Sequence, residues 1–208
     1  MDLQRTVVIL DYGIGNIASV ANMLRVVGAD SVLSADHEVV RRARKIILPG
    51  VGSFDAGMTA LRAHGLPNAV GEALEQGAYL LGICLGAQLL MEGSDEGAES
   101  GLGFIAGRVR RFQFDDQARP VPHMGWNMVR PRPGATLFQT AVDQKRFYFA
   151  HSYYLACARE DDVAATSEYG FEFTCALEHG RIFGAQFHPE KSHRFGKEFL
   201  GNFVSLPC

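Results

Sequence analysis

Long apolar runs are missing from this chain: none approaches the ~18 residues of a membrane-spanning helix. Residues 1–5 lead into a strand-like run without a signal-peptide pattern, so a cytoplasmic protein with no membrane partner is expected. Cysteine is scarce as well. Cys84, Cys157, Cys175 and Cys208 show neither CxxC spacing nor the density of a disulfide scaffold, which argues against a zinc or other metal centre and against a secreted fold. Any cysteine chemistry is therefore expected to be nucleophilic. An excess of charge of one sign is lacking too. The net charge of −3 comes from interspersed acids and bases, and the basic clusters at Arg41, Arg42, Arg44, Lys45 and at Arg108, Arg110, Arg111 are too short to indicate nucleic acid. No internal repeat, low-complexity tract or linker divides the chain, so one domain over 1–208 is expected. With 47% hydrophobic and 21% charged residues, it carries too much apolar material for a disordered protein.

What is present alternates. A continuous apolar run over 6–10 precedes Ile17, Val20, Ala21, Leu24 and Val27 at helical spacing, with Asn16 placed to cap that helix. Strand-like 31–35, 45–48 and 79–83 follow, separated by helix candidates over 55–62 and 68–76. The second half reads as strands over 104–112, 147–157, 162–169, 171–177 and 181–187 with short connections, a turn at Glu178-His179-Gly180, and a closing helix over 193–204. The expected class is α/β: an open, mostly parallel twisted sheet with helices on both faces and an antiparallel section in the second half.

The sharpest chemical signal is Gly82-Ile83-Cys84-Leu85-Gly86, which lies between an apolar strand and helix-compatible residues. This is the thiol form of a nucleophile elbow: glycines two residues either side let neighbouring segments approach, and the side chain stands at a sharp turn. Unpaired N–H groups at the helix start favour a thiolate, and the N–H of Leu85 can donate to an oxyanion. A bare cysteine among Leu and Ile is more often buried packing, but the two glycines and the strand-to-helix setting reverse that reading here. Cleavage of an amide by a thiolate also needs a proton for the departing amine. His188-Pro189-Glu190 can supply it, since i and i+2 of an extended segment share a face and Glu190 can then hold the far nitrogen of His188. Alone, His-Pro is as readily a surface turn. Pro49-Gly50-Val51-Gly52-Ser53-Phe54 follows the 45–48 strand at a sheet edge where α/β folds bind ligands, and Gly50, Val51 and Gly52 are expected to complete the oxyanion hole. One motif points elsewhere: Gly13-Ile14-Gly15-Asn16-Ile17-Ala18, with Asp36 after the next strand, satisfies a dinucleotide fingerprint.

Together, Cys84, His188, Glu190 and the 50–52 loop resemble the triad class of glutamine amidotransferases over nearly the whole chain. More narrowly, four segments in order are similar to the glutaminase subunits of imidazole glycerol phosphate synthases: Asp11-Tyr12-Gly13-Ile14-Gly15-Asn16, Pro122-His123-Met124-Gly125-Trp126-Asn127, Tyr148-Phe149-Ala150-His151-Ser152-Tyr153-Tyr154 and Gln186-Phe187-His188-Pro189-Glu190-Lys191-Ser192. That resemblance implies L-glutamine as substrate, no cofactor, and a heterodimer with a (β/α)8-barrel cyclase in histidine biosynthesis. It implies that Gln88 and Glu96 recognise glutamine with Gly52, Ser152 and Tyr153 nearby, and that Asn16, Trp126, Tyr148 and Lys191 lie toward the partner and the ammonia passage. Ala87 stands where the elbow of this family often has methionine, and Ala106 where the following loop often has proline; neither change removes a reacting group. Glutaminase subunits of anthranilate, guanylate or pyridoxal phosphate synthesis, and a cysteine hydrolase on a similar fold, are the alternative readings.

Overall fold

The computed structural model describes residues 6–114, 119–139 and 145–207. Four strands pair in parallel in the order β2 (Ser31–Ser34), β1 (Val7–Leu10), β3 (Lys45–Gly50) and β4 (Tyr79–Cys84). Residues β1, β3 and β4 are buried along their length, as a sheet covered on both sides requires. Alternation along the strands divides the core in two. Val7, Ile9, Ile47, Leu81 and Ile83 join α1 (Ile17–Val26) and α6 (His193–Val204) on one face. On the other, Val8, Leu10, Ile46, Leu48 and Leu80 meet α2 (His37–Arg41), α3 (Phe54–Ala63), α4 (Leu66–Glu75) and α5 (Leu85–Leu89).

Beyond β5 (Gly93–Ser94) and β6 (Gly107–Arg111), the second half contributes β7 (His123–Pro131), β8 (Lys145–His151), β9 (Tyr153–Cys157), β10 (Val163–Tyr169), β11 (Phe171–His179) and β12 (Ile182–Ala185). The main path of the sheet continues β4-β12-β11-β10-β7-β8. β12 pairs antiparallel with β11 but parallel with β4, in the register Ile182–Leu80 to Ala185–Ile83. This single strand splices the antiparallel section onto the parallel one.

Several boundaries differ from the sequence expectation for identifiable reasons. The strand expected over 147–157 is two strands broken at Ser152: the Nδ1 of His151 bonds the carbonyl of Tyr153 at 2.7 Å, and the chain passes from pairing with β7 to pairing with β6. The strand expected from 104 starts only at Gly107, whose φ of +126° and close approach to the Ala156 carbonyl make it a break point. β7 was not expected; its alternation is inverted, with Met124 and Trp126 exposed and His123 buried. The turn expected at 178–180 begins later, since Glu178 and His179 both belong to β11. Asn16 does sit at the start of α1, but its side chain makes no capping hydrogen bond.

The dinucleotide-like turn has a packing explanation. A Cβ on Gly15 would lie 3.2 Å from that of Pro49, and the Tyr12 hydroxyl donates to the Pro49 carbonyl at 2.6 Å. Asp36 caps α2, accepting from the N–H groups of Glu38 and Val39 at 2.8 and 3.2 Å. These residues anchor the start of the 49–54 loop and the entry to a helix.

In α6, a Cβ on Gly196 would fall 1.8 Å from the Pro189 carbonyl oxygen, whereas one on Gly201 would meet nothing within 4 Å. Gly196→Ala is expected to push α6 off the 189–191 segment and cost about 3 kcal/mol, while Gly201→Ala raises stability by about 0.5–1 kcal/mol through helix propensity. Denaturant unfolding of the two variants checks the contrast, and equal effects would contradict the close packing.

Candidate active site

Cys84 ends β4 with φ 54° and ψ −110°, a conformation that non-glycine residues rarely adopt. The flanking glycines explain how the chain tolerates it. A Cβ on Gly82 would stand 2.7 Å from the backbone nitrogen of Ala87, and one on Gly86 would stand 1.9 Å from the Leu48 carbonyl oxygen. α5 therefore rests directly on bare backbone, and the elbow expected from sequence is present.

Cys84 opens into a cavity of about 360 Å³. Of the residues singled out in the sequence, Val51, Gly52, Leu85, Gln88, Glu96, Ser152, Tyr153, His188 and Lys191 line it with Cys84. Gly50 lies beneath rather than in the lining: it is buried opposite Cys84 in the β3–β4 ladder, and a Cβ there would meet the Gly86 nitrogen at 2.8 Å. Its lack of a side chain serves close packing. Val51 and Gly52 remain the loop residues at the cavity, Gly52 with φ +101°.

His188 follows β12 and reaches the sulfur because β12 runs beside β4. Its Nδ1 is 2.8 Å from Glu190 Oε1, and both side chains are buried. The pairing is the expected one, but Pro189–Lys191 forms a 3₁₀ turn, so Glu190 folds back by a turn rather than by strand alternation. Burial alone would depress the imidazole pKa; hydrogen bonds to Cys84 and Glu190 outweigh it and raise His188 to about 9. Glu190 Oε2 is buried without a hydrogen-bond partner among the described residues, which leaves His188 as the partner this carboxylate has. The other described cysteines offer no comparable thiol. Burial, reinforced by Asp162, pushes Cys157 up to about 12, and burial raises Cys175 well above the usual thiol range. Cys208 lies outside the described residues.

The supporting groups were largely invisible in the sequence reading. Gln186, fully buried, accepts from Gln88 Nε2 at 3.1 Å and points its own amide nitrogen at the Cys84 sulfur at 3.9 Å. The two-residue spacing that singles out Glu190 on one side of His188 marks Gln186 on the other. Ser192 accepts from the Tyr148 N–H at 3.0 Å and donates to the His188 carbonyl at 2.6 Å, while the His188 N–H donates to the Tyr148 carbonyl. Glu96 accepts from the Phe54 N–H at 2.8 Å, which ties the cavity wall to the start of α3. Among the residues expected toward a partner, Trp126 is 40% exposed and stacks on His193, edge-on to Tyr148, while Lys191 lies over the Tyr148 ring. Asn16 is exposed but outside the cavity lining.

A strained cysteine with an imidazole and a carboxylate behind it is equipped for nucleophilic attack on a carbonyl. Comparison with known proteins identifies the class. The family model described as glutamine amidotransferase class-I matches residues 8–206, and the chain belongs to that family. The solved structure of PurLQS from Thermotoga maritima shares the fold, with a TM-score of 0.76 at 18% identity over 97% of this chain and 98% of that one. Within the family, the chain is similar to curated proteins named imidazole glycerol phosphate synthase subunit HisH. It is 48% identical to HisH 2 of Pseudomonas aeruginosa over 96% of this chain and 99% of that one, and 46% identical to HisH of Moorella thermoacetica over 97% and 95%.

The His188 imidazole is expected to titrate near 9 in the folded protein. Because this lies above the ordinary value of about 6.5, the pairing contributes stability that is complete below about pH 6.5 and is lost as pH rises through the folded value. Glu190→Gln and Cys84→Ala should each move the titration to lower pH, as followed by NMR of the ring. A titration unmoved by both changes would contradict the pairing.

Proposed function

We propose that this chain is the glutaminase subunit of an imidazole glycerol phosphate synthase. As one amidotransferase domain over 1–208, it hydrolyses L-glutamine to glutamate and ammonia. The ammonia passes to a (β/α)8-barrel cyclase subunit, with which the chain forms a heterodimer in histidine biosynthesis. The observation that carries the chemistry is the strained Cys84 sharing one cavity with His188, itself held by Glu190. The shared name of the full-length relatives favours this synthase over the anthranilate, guanylate and pyridoxal phosphate alternatives.

In this mechanism the Cys84 thiolate attacks the side-chain carbonyl carbon of glutamine. The N–H groups of Leu85 and of the loop at Val51 and Gly52 stabilise the oxyanion. As the carbon–nitrogen bond breaks, imidazolium His188 gives its Nε2 proton to the departing ammonia, leaving a γ-glutamyl thioester and a neutral ring. Water then loses a proton to His188 and attacks the thioester; the carbon–sulfur bond breaks, glutamate leaves, and the thiolate–imidazolium pair is restored. Gln88, Glu96, Ser152 and Tyr153 hold the amino-acid end of the substrate, with the Glu96 carboxylate suited to its ammonium group. Trp126, Tyr148 and Lys191 face the cyclase and the ammonia passage, and Asn16 lies toward the same partner.

Cys84→Ala is expected to keep the fold and glutamine binding while lowering glutaminase turnover by about 10² to 10⁶-fold. Turnover by that variant at the unsubstituted rate would refute the assignment. Residues 51–53 are exposed, and docking of the cyclase is proposed to align the loop's donor N–H. The isolated chain should therefore hydrolyse glutamine more slowly than the complex, and equal rates would remove this coupling.

A further inference from the structure

Two buried histidines have no part in that mechanism. His123 opens β7 and His151 closes β8; the two are directly paired across the strands, 4% and 5% exposed. His123 is stacked between Phe149 and Tyr169, with ring centroids at 4.9 and 4.1 Å. A hydrogen-bond chain runs through them. Asn127 Nδ2 lies 3.2 Å from His123 Nε2, His123 Nδ1 lies 3.0 Å from His151 Nε2, and His151 Nδ1 lies 2.7 Å from the Tyr153 carbonyl oxygen.

The polarity of this chain is forced from both ends. A carbonyl only accepts, so His151 carries its proton on Nδ1 and presents Nε2 as an acceptor. His123 must then donate from Nδ1 and accept at Nε2, which matches an amide nitrogen that only donates. The Asn127 orientation is fixed independently, because its Oδ1 accepts from the Met128 N–H at 2.8 Å and its Nδ2 also donates to the Glu168 carbonyl. A proton added to either ring would set donor against donor.

The chain ends on the cavity wall. His151 bonds across Ser152 to Tyr153, so its ring closes the bend at which β8 becomes β9, and His151, Ser152 and Tyr153 all line the cavity with Cys84. The same Tyr153 carbonyl accepts from Gln88 Nε2 at 3.3 Å. One oxygen thus ties the bend to a second wall residue. We propose that His151, backed by His123, is a positioning residue for substrate: a polarity-locked pair of neutral histidines that sets the Ser152–Tyr153 wall and the Gln88 amide against the amino-acid end of glutamine. This rests on the reading that the cavity binds glutamine.

The side-chain nitrogen of asparagine stands where the histidine Nδ1 stands, so His151→Asn keeps the donor to Tyr153 while His151→Leu removes it. Assayed with the cyclase partner, His151→Leu should raise the glutamine KM about tenfold or more with kcat changed by less than about threefold, and His151→Asn should recover most of the loss. NMR of ¹⁵N-histidine-labelled unsubstituted protein should show both rings as neutral Nδ1–H tautomers, a readout that does not depend on any variant folding. An unchanged KM in His151→Leu, an Asn variant no better than Leu, or either ring in the Nε2–H form overturns the proposal. Absence of glutaminase activity in the unsubstituted complex would instead remove the functional reading, and the tautomers would still be decided.

Discussion

Four residue pairs between β4 and β12 hold together two chain segments that are about a hundred residues apart, and the cavity exists because of them. The ladder runs from Leu80–Ile182 to Ile83–Ala185, with both strands leaving at the same edge. The next residue along one strand is Cys84, and three residues along the other is His188. In the middle of the ladder, Gly82 faces Gly184. A Cβ on the first would collide with the Ala87 backbone, and one on the second would crowd the Ala87 side chain at 3.1 Å. The bare pair lets α5 settle onto the two strands, and that descent turns the chain sharply at Cys84. Ala87, with a side chain small enough to approach Gly184, is the residue that rests there.

A parallel ladder fixes the strands but not the side chains beyond its end, so the segment after β12 needs its own support. Ser192 supplies part of it by bonding the backbone of Tyr148 and of His188 at once. Gly196 supplies another part by allowing α6 to lie against the Pro189 carbonyl. Behind the sulfur, Gln186 and Gln88 share an amide hydrogen bond that is fully enclosed. Ser192, Gly196 and Gln186 restrain the site from behind the cavity lining, and a catalytic constellation needs that kind of restraint to stay within reach of its geometry.

The parts legible in the sequence were those in which local pattern and structural role coincide. Apolar runs over 6–10 and 79–83 are strands because both their faces are covered, and the glycines around Cys84 reveal the elbow because only close backbone approach demands them at that spacing. His188 and Glu190 were correctly paired on a wrong conformational ground, since a strand and a 3₁₀ turn can both bring residues two apart together. Where a role depends on a distant partner, local pattern was silent. Residues 122–127 read as a motif rather than as part of a strand, because the side that β7 buries there begins with His123, whose partners lie in β8 and β10, while Met124 and Trp126 are exposed. The break at Ser152 was hidden inside a single strand candidate over 147–157, because it is made by a ring-to-carbonyl bond that periodicity does not register. Gly50 was assigned a role at the oxyanion from its place in a glycine-rich loop, whereas its buried position under Gly86 is a property of the β3–β4 ladder.

Three buried histidines near one cavity, in the same protein and at similar depth, behave oppositely, and the cause lies in what each ring nitrogen faces. Burial lowers the pKa of all three. For His188 the loss is overturned by a sulfur on one side and a carboxylate on the other, and the ring holds its proton up to about 9. For His151 burial dominates; the Tyr153 carbonyl offsets it only in part, neighbouring His123 and His188 add to the depression, and the value falls to about 3. His123, enclosed by aromatic rings, falls to about 4 through burial. At neutral pH the cavity therefore has one mobile imidazole proton, located beside the nucleophile, while the other two rings serve as fixed dipoles. That separation matters to a thiol-based hydrolysis: a second protonated imidazole at the wall would set His151 Nε2 donor against donor with His123 and repel the ammonium end of an amino acid. The aromatic rings that enclose His123 keep that imidazole neutral, so it adds no charge beside His151.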